Sequence, residues 1–206
     1  MLETKNLRFK YDNNLELNFP DIKTSKENLL ILGASGVGKT TFLHLLSGLL
    51  KPINGEIDLL GTKISQLKMS EMDRFRGKNI GIIFQKPHFI NSLTVKENLQ
   101  LAQYISKKSD KNRIQYLLES LGIEDKANKK TQNLSQGEKQ RVSIALAIVN
   151  SPKLILADEP TSSLDDLNCD KVINILKNQA SKYKAKLIII THDYRLKKHF
   201  KNTLSL

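Results

Sequence analysis

Short apolar runs and longer three-or-four-residue apolar periodicities alternate along the chain. Four runs read as buried strands: Leu29 to Leu32, Ile80 to Phe84, Lys153 to Asp158 and Lys186 to Thr191. In the first twenty residues polar and apolar positions alternate instead, with Leu7, Phe9 and Tyr11, then Leu15, Leu17 and Phe19. That pattern predicts two half-exposed antiparallel strands around Asp12-Asn13-Asn14. A turn at Lys51 to Gly55 introduces a further strand, Glu56 to Leu60, and Ser70 to Arg76 reads as a short charged helix. Phe42, Leu45, Leu46 and Leu49 carry the spacing of an amphipathic helix directly after the first buried run.

Between Pro87 and Asn150 the strand-like runs disappear. Ile114, Leu117, Leu118 and Leu121 make one helical stripe, closed by Gly122, and Val142, Ala145, Leu146 and Val149 make another. Thr94/Glu97 and Ser135/Glu138 have capping-box spacing, which satisfies orphan backbone groups at a helix start. Ser163 to Asp166 reads as the cap of the next helix, whose stripe is Cys169, Val172, Ile173 and Leu176. The expected organisation is one α/β domain. An α/β core over 1–86 and 151–206 carries a helical subdomain over about 87–150.

Gly33-Ala-Ser-Gly-Val-Gly38-Lys39-Thr40 fills the G-x-x-x-x-G-K-[ST] pattern, with the strand before it and the helix after it that a phosphate-binding loop requires. Glycines at 33, 36 and 38 let the backbone approach a ligand, so its N–H groups form an anion nest at a positive helix end. Lys39 offers a compact charge to β- and γ-phosphates, and Thr40 a hydroxyl to Mg²⁺. Three further strand ends carry polar residues where open α/β sheets place ligand contacts. Gln85 is a candidate for Mg²⁺ or the attacking water. Asp158 suits the metal shell, and Glu159, on the opposite side of the strand end, suits a proton acceptor. His192 follows the last buried run and reads equally as a structural or a catalytic histidine. Tyr11 either stacks on a nucleobase or packs at a strand end. Gly137 costs helix propensity within its helix's first turn, and beside the Ser135 hydroxyl it makes a second anion site. Two such helix ends meet on one triphosphate only when two copies face each other.

Composition narrows the alternatives. The chain of 206 residues is long enough to bury roughly 70% of its unfolded surface, so neither disulfide nor structural metal is needed. Its one cysteine, Cys169, has no partner and reads as a small core residue. From Glu3 onward the N-terminus is too polar for a signal peptide, and no apolar run approaches the roughly 20 residues of a membrane span. A soluble, cytoplasmic protein is expected. The net charge of +12 comes from scattered lysine clusters without interleaved aromatics, so no nucleic-acid partner is expected. At an anionic membrane surface each nearby lysine contributes about 1 kcal/mol.

These motifs, in this order, resemble the nucleotide-binding subunits of ABC transporters over essentially the whole chain. The resemblance implies a P-loop NTPase (RecA-like) core with an antiparallel β subdomain and an inserted α-helical subdomain. It makes Gly33 to Thr41, with Ser35 and Thr41, the phosphate loop, Gln85 the Q-loop glutamine and Leu134 to Glu138 the signature. Asp158-Glu159 would end the Walker B strand, Ser163-Leu164-Asp165 would be the D-loop, His192 the switch histidine and Tyr11 the adenine-stacking aromatic. Gln136 departs from the glycine commonest at its position. The resemblance further implies an ATP-dependent homodimer that binds ATP and Mg²⁺, with Thr40, Gln85 and Asp158 at the metal. Such a dimer would drive a transmembrane permease subunit from the inner face of the membrane. Length and the stretch Met72 to Gln85 resemble the lipoprotein-releasing (LolD), macrolide-export (MacB) and cell-division (FtsE) ATPases. An FtsE-like regulator that does not transport is the alternative. DNA-repair and ribosome-acting relatives fit poorly, since one phosphate loop and no heptad run are present.

Overall fold

The computed structural model describes residues 2–12, 15–24, 28–162 and 164–206, so the expected Asn13-Asn14 turn and Ser163 lie outside the described residues. Strands β1 (Leu2–Lys10), β2 (Glu16–Asn18) and β3 (Ile22–Thr24) open the chain, and β4 (Leu29–Leu32) leads into α1 (Lys39–Leu46). Then come β5 (Asn54–Leu59), β6 (Thr62–Lys63), α2 (Met69–Asn79) and β7 (Ile80–Ile83). Helices α3 (Val95–Ile105), α4 (Lys111–Ser120) and α5 (Gln136–Ile148) come next without a strand among them. The chain closes with β8 (Leu154–Asp158), α6 (Asp166–Lys182), β9 (Lys186–Thr191) and β10 (Asn202–Ser205).

The buried runs form one parallel sheet in the order β10-β4-β9-β8-β7. Its inner strands β4, β8 and β9 are buried on both faces, which is why they read as continuous apolar runs, whereas β10 at the edge alternates half-buried and exposed residues. Successive side chains point to opposite faces. Leu30, Leu32, Ile155, Ala157, Leu187 and Ile189 join the core beneath α3 to α6. Ile31, Leu156, Ile188 and Ile190 meet α1 and the second sheet, where Phe19 stacks on Phe42 at 4.8 Å. That second sheet is antiparallel around β1, with β2 and β3 on one side and β5, then β6, on the other. The alternating N-terminal pattern therefore forms the expected strand pair.

Register sets the site. Leu32 pairs with Thr191 and Asp158 with Ile190, so β4, β9 and β8 end level with one another. One helix is shorter than its apolar spacing predicts: α1 stops at Leu46, Gly48 turns left-handed at φ +65°, and Leu49 is 43% exposed. At the far end of the helices, Arg113 is buried, donates from Nη2 to the Ile148 carbonyl at 2.9 Å and stacks over the Tyr183 ring at 4.0 Å. It thus joins α4 to α5 and to the end of α6.

Gly81 marks the tightest approach of sheet and helix, since a Cβ there would stand 2.0 Å from the Ala147 carbonyl oxygen. Gly81→Ala should cost roughly 2 kcal/mol or more, lowering the melting temperature by about 4 to 8 °C. An unchanged melting curve would show that β7 does not seat against α5 as described.

Candidate active site

The loop between β4 and α1 begins with the Gly33 N–H donating to the Thr191 carbonyl at 3.2 Å, which ties it to the neighbouring strand end. Gly36 and Gly38 have φ of +85° and +100°, conformations that side-chain-bearing residues rarely adopt. Gly38 is the N-cap of α1 and supplies no side chain, whereas α3, α4, α5 and α6 are capped by Thr94, Asp110, Ser135 and Asp165. The first N–H groups of α1 therefore meet no capping oxygen, the arrangement that suits an anion.

Two charged networks converge on this turn. Thr40 Oγ1 donates to Asp158 Oδ2 at 2.7 Å, joining the first turn of α1 to the end of β8. Asp158 is buried, and its other oxygen, Oδ1, has no hydrogen-bond partner among the described residues. Burial pushes the Asp158 carboxyl above its ordinary range, and the Thr40 hydroxyl pulls against that shift. Such an orphaned carboxylate oxygen beside a hydroxyl is the hard oxygen donor set that Mg²⁺ takes.

Glu159 turns the other way, toward β9. Its backbone is left-handed at φ +49°, and its N–H donates to the Ile190 carbonyl at 2.9 Å. One carboxylate oxygen accepts from the Thr191 hydroxyl at 2.6 Å; the other lies 2.8 Å from His192 Nδ1 and 3.5 Å from Lys39 Nζ. The Lys39 ammonium also donates to the Ala34 carbonyl at 2.9 Å. Loop lysine, strand-end glutamate and histidine thus form one cluster. Thr191 is a site residue that the motifs do not reveal, although a threonine closing a run of isoleucines before His192 is its signal in the sequence.

The remaining candidates fall into three groups. Tyr11 and Thr41 share a hydroxyl–hydroxyl hydrogen bond of 2.6 Å beside the loop, and the Tyr11 ring meets Phe9 edge-on at 4.8 Å while 38% exposed. Ser35 is exposed on the loop itself. Gln85 is exposed just past β7, the strand beside β8. Before it, Phe84 lies edge-on between His44 at 6.2 Å and His88 at 5.2 Å. His44 belongs to no motif either, though its four-residue spacing from Thr40 puts both on one helix face. Burial lowers its imidazole's affinity for a proton, with Asp158 opposing.

Ser135, Gly137 and Asp165 belong to other helix ends. Ser135 caps α5 by accepting from the Glu138 N–H at 3.3 Å, and Glu138 accepts from the Ser135 N–H at 2.7 Å. The Ser135 amide holds the Glu138 carboxyl below its ordinary range. At Gly137 a Cβ would meet nothing nearer than the tip of Arg141 at 3.6 Å, so packing within the chain does not require glycine there. The cap of α6 is Asp165, which accepts from the Asn168 N–H at 2.8 Å. Cys169 is buried in the core, and burial raises its thiol.

A buried strand, a glycine turn into an uncapped helix and a threonine–aspartate contact across the sheet define a P-loop nucleotide-binding protein. The ABC transporter family model matches residues 19–162. The lipoprotein-releasing system ATP-binding protein LolD of Buchnera aphidicola is 42% identical over 79% of this chain and 73% of its own length. LolD of Wigglesworthia glossinidia brevipalpis is 35% identical over 100% and 93%, and the bacitracin export ATP-binding protein BceA of Halalkalibacterium halodurans 37% over 94% and 79%. The dimeric structure of the ABC transporter cassette MJ0796 superposes with a TM-score of 0.91 at 29% identity, covering 100% of this chain and 94% of that one. The same cassette is also known as a post-hydrolysis dimer bound to ADP and Pi. The chain belongs to the ABC transporter family and is an ATP-binding, ATP-hydrolysing subunit within it.

Proposed function

We propose that two copies of this chain close head to tail on ATP and drive a membrane permease, with lipoprotein release as the transport reaction. The triphosphate lies along the loop from Gly33 through Ser35, Gly36 and Gly38 to Lys39, Thr40 and Thr41, with Tyr11 against the base. Ser135 and Gly137 of the facing copy close the other side, next to Asp165. Thr40, Asp158 and Gln85 hold Mg²⁺, and the orphaned Asp158 oxygen supports that assignment. Held there, such an ion would supply positive charge against the triphosphate. Glu159 accepts the proton of the attacking water, and His192 contacts the γ-phosphate and orients Glu159. The observation that carries these roles is the convergence of Lys39, Thr40, Asp158, Glu159 and His192 on one level of the sheet.

Lipoprotein release rests on the two LolD relatives, and the BceA match keeps the reading within export systems. No helix among the described residues is long and apolar enough to cross a membrane. In this reading the membrane step belongs to a partner that holds this subunit at the inner face. An apolar landing surface for it lies between α1, β5 and α2, where Leu49 and the 85% exposed Met69 border a cleft of about 460 Å³.

The test is purification of the tagged chain from detergent-solubilised membranes of its own host. A lipoprotein-releasing permease should co-purify and raise ATP turnover, and Met69→Glu should lose both effects. A chain that purifies alone rules the permease reading out. A cell-division membrane protein in its place would support the FtsE-like alternative instead.

A further inference from the structure

At the other end of the parallel sheet, the starts of β4, β8, β9 and β10 and the end of α6 enclose a cleft of about 640 Å³. Its walls carry Lys153, Lys177, Lys184 and Lys201, and among the described residues no aspartate or glutamate lines it. Lys153, Lys184 and Lys201 are exposed at the rim. Lys177 is fixed from inside, donating to the His199 carbonyl at 2.9 Å with its ammonium 5.9 Å from the Phe200 ring centroid. Lys186, also on the wall, is buried and bonds the Thr24 hydroxyl, so it is not one of the cleft's open cations.

This is not an extension of the nucleotide site. Lys186 starts β9 and Thr191 ends it, so five steps of about 3.3 Å put roughly 16 Å of sheet between the two ends. Several cations elsewhere meet carboxylates: Lys63 with Glu56, Lys126 with Glu138, Lys198 with Asp170 and Arg195 with Asp193. Among the described residues none of the four cleft lysines is paired with a carboxylate, and their shared sign gives the cleft a positive potential that draws in anions. Lysines act as point charges suited to phosphate oxygens. The volume lies within the range of small-ligand pockets. Phe200 is buried, so it presents no open ring on which a nucleic-acid base would stack.

We propose that this cleft is a second anion site, taking a small soluble oligophosphate, with Lys153, Lys177, Lys184 and Lys201 as its cations. The proposal does not depend on the roles given to the ATP site. It is tested by calorimetric titration of inorganic tripolyphosphate into full-length protein saturated with Mg²⁺ and a non-hydrolysable ATP analogue, which occupies the phosphate loop. The wild type should bind, and K153E/K201E should bind at least tenfold more weakly. Reversing two lysines outside the cleft, K107E/K129E, should change affinity less than twofold. The milder K153Q/K201Q should weaken binding at least threefold, which keeps the test decisive if the double reversal fails to fold. Absence of wild-type binding would overturn the site. So would unchanged affinity in K153Q/K201Q, or an equal loss in K107E/K129E.

Discussion

Glu159→Gln should bind ATP and dimerise on it, yet hydrolyse it at least 100-fold more slowly. The substitution keeps the size of the side chain and removes its charge. Glutamine can still bond the Thr191 hydroxyl and the His192 amide, whose contacts to Glu159 measure 2.6 and 3.1 Å. What it cannot do is accept a proton from water, a contribution worth about 10² to 10⁴ in rate. The ion-pair contact of Lys39 is lost as well, but the phosphate binding proposed for Lys39 and the loop N–H groups should be unaffected. Trapping of radiolabelled ATP in a dimer resolved by gel filtration, with single-turnover rates measured beside it, checks the prediction. Turnover near that of the wild type would remove Glu159 from its assigned role.

Ser135→Arg should bind ATP as a monomer while turnover falls at least 100-fold. Ser135 is exposed, so a larger side chain is accommodated within the chain and projects from the α5 end. The obstruction should be felt by the facing copy of the proposed dimer. The substitution also removes the cap on Glu138, a loss of about 1 kcal/mol that has to be separated from the obstruction. Ser135→Ala makes that separation, since it loses the cap and adds no bulk. The alanine variant should keep the ATP-dependent dimer and lose far less activity than the arginine variant. Rates that stay independent of protein concentration, with no dimer in ATP, would count against a shared site. Equal losses in the two variants would point to the cap alone.

Much of the fold and site is legible in the sequence because it is local. Apolar runs bounded by Gly33, Gln85, Asp158 and His192 require buried strands with polar ends, and the capping boxes at Thr94 and Ser135 are set by three-residue spacing. The departures are also local in origin. The helical stripe through Leu49 looks continuous, but periodicity carries no information about the left-handed turn at Gly48 that ends α1 early. Ser163 and Asp165 both suit a helix cap, and only backbone geometry shows that Asp165 fills it. The hidden part is long-range. No pattern within β8 announces that Glu159 folds over toward Thr191, His192 and Lys39, because those partners come from the end of β9 and the start of α1. Tyr11 against Thr41 is the same kind of contact, made only once the antiparallel sheet lies beside α1.

The guanidinium of Arg113 has a mechanical consequence. A cation held over an aromatic face is worth about 0.5 to 2 kcal/mol, the more so the less water reaches it. Because the same guanidinium also donates to the Ile148 carbonyl, one side chain clasps α4 to both of its neighbours. Truncating it would loosen two helix contacts in a single step.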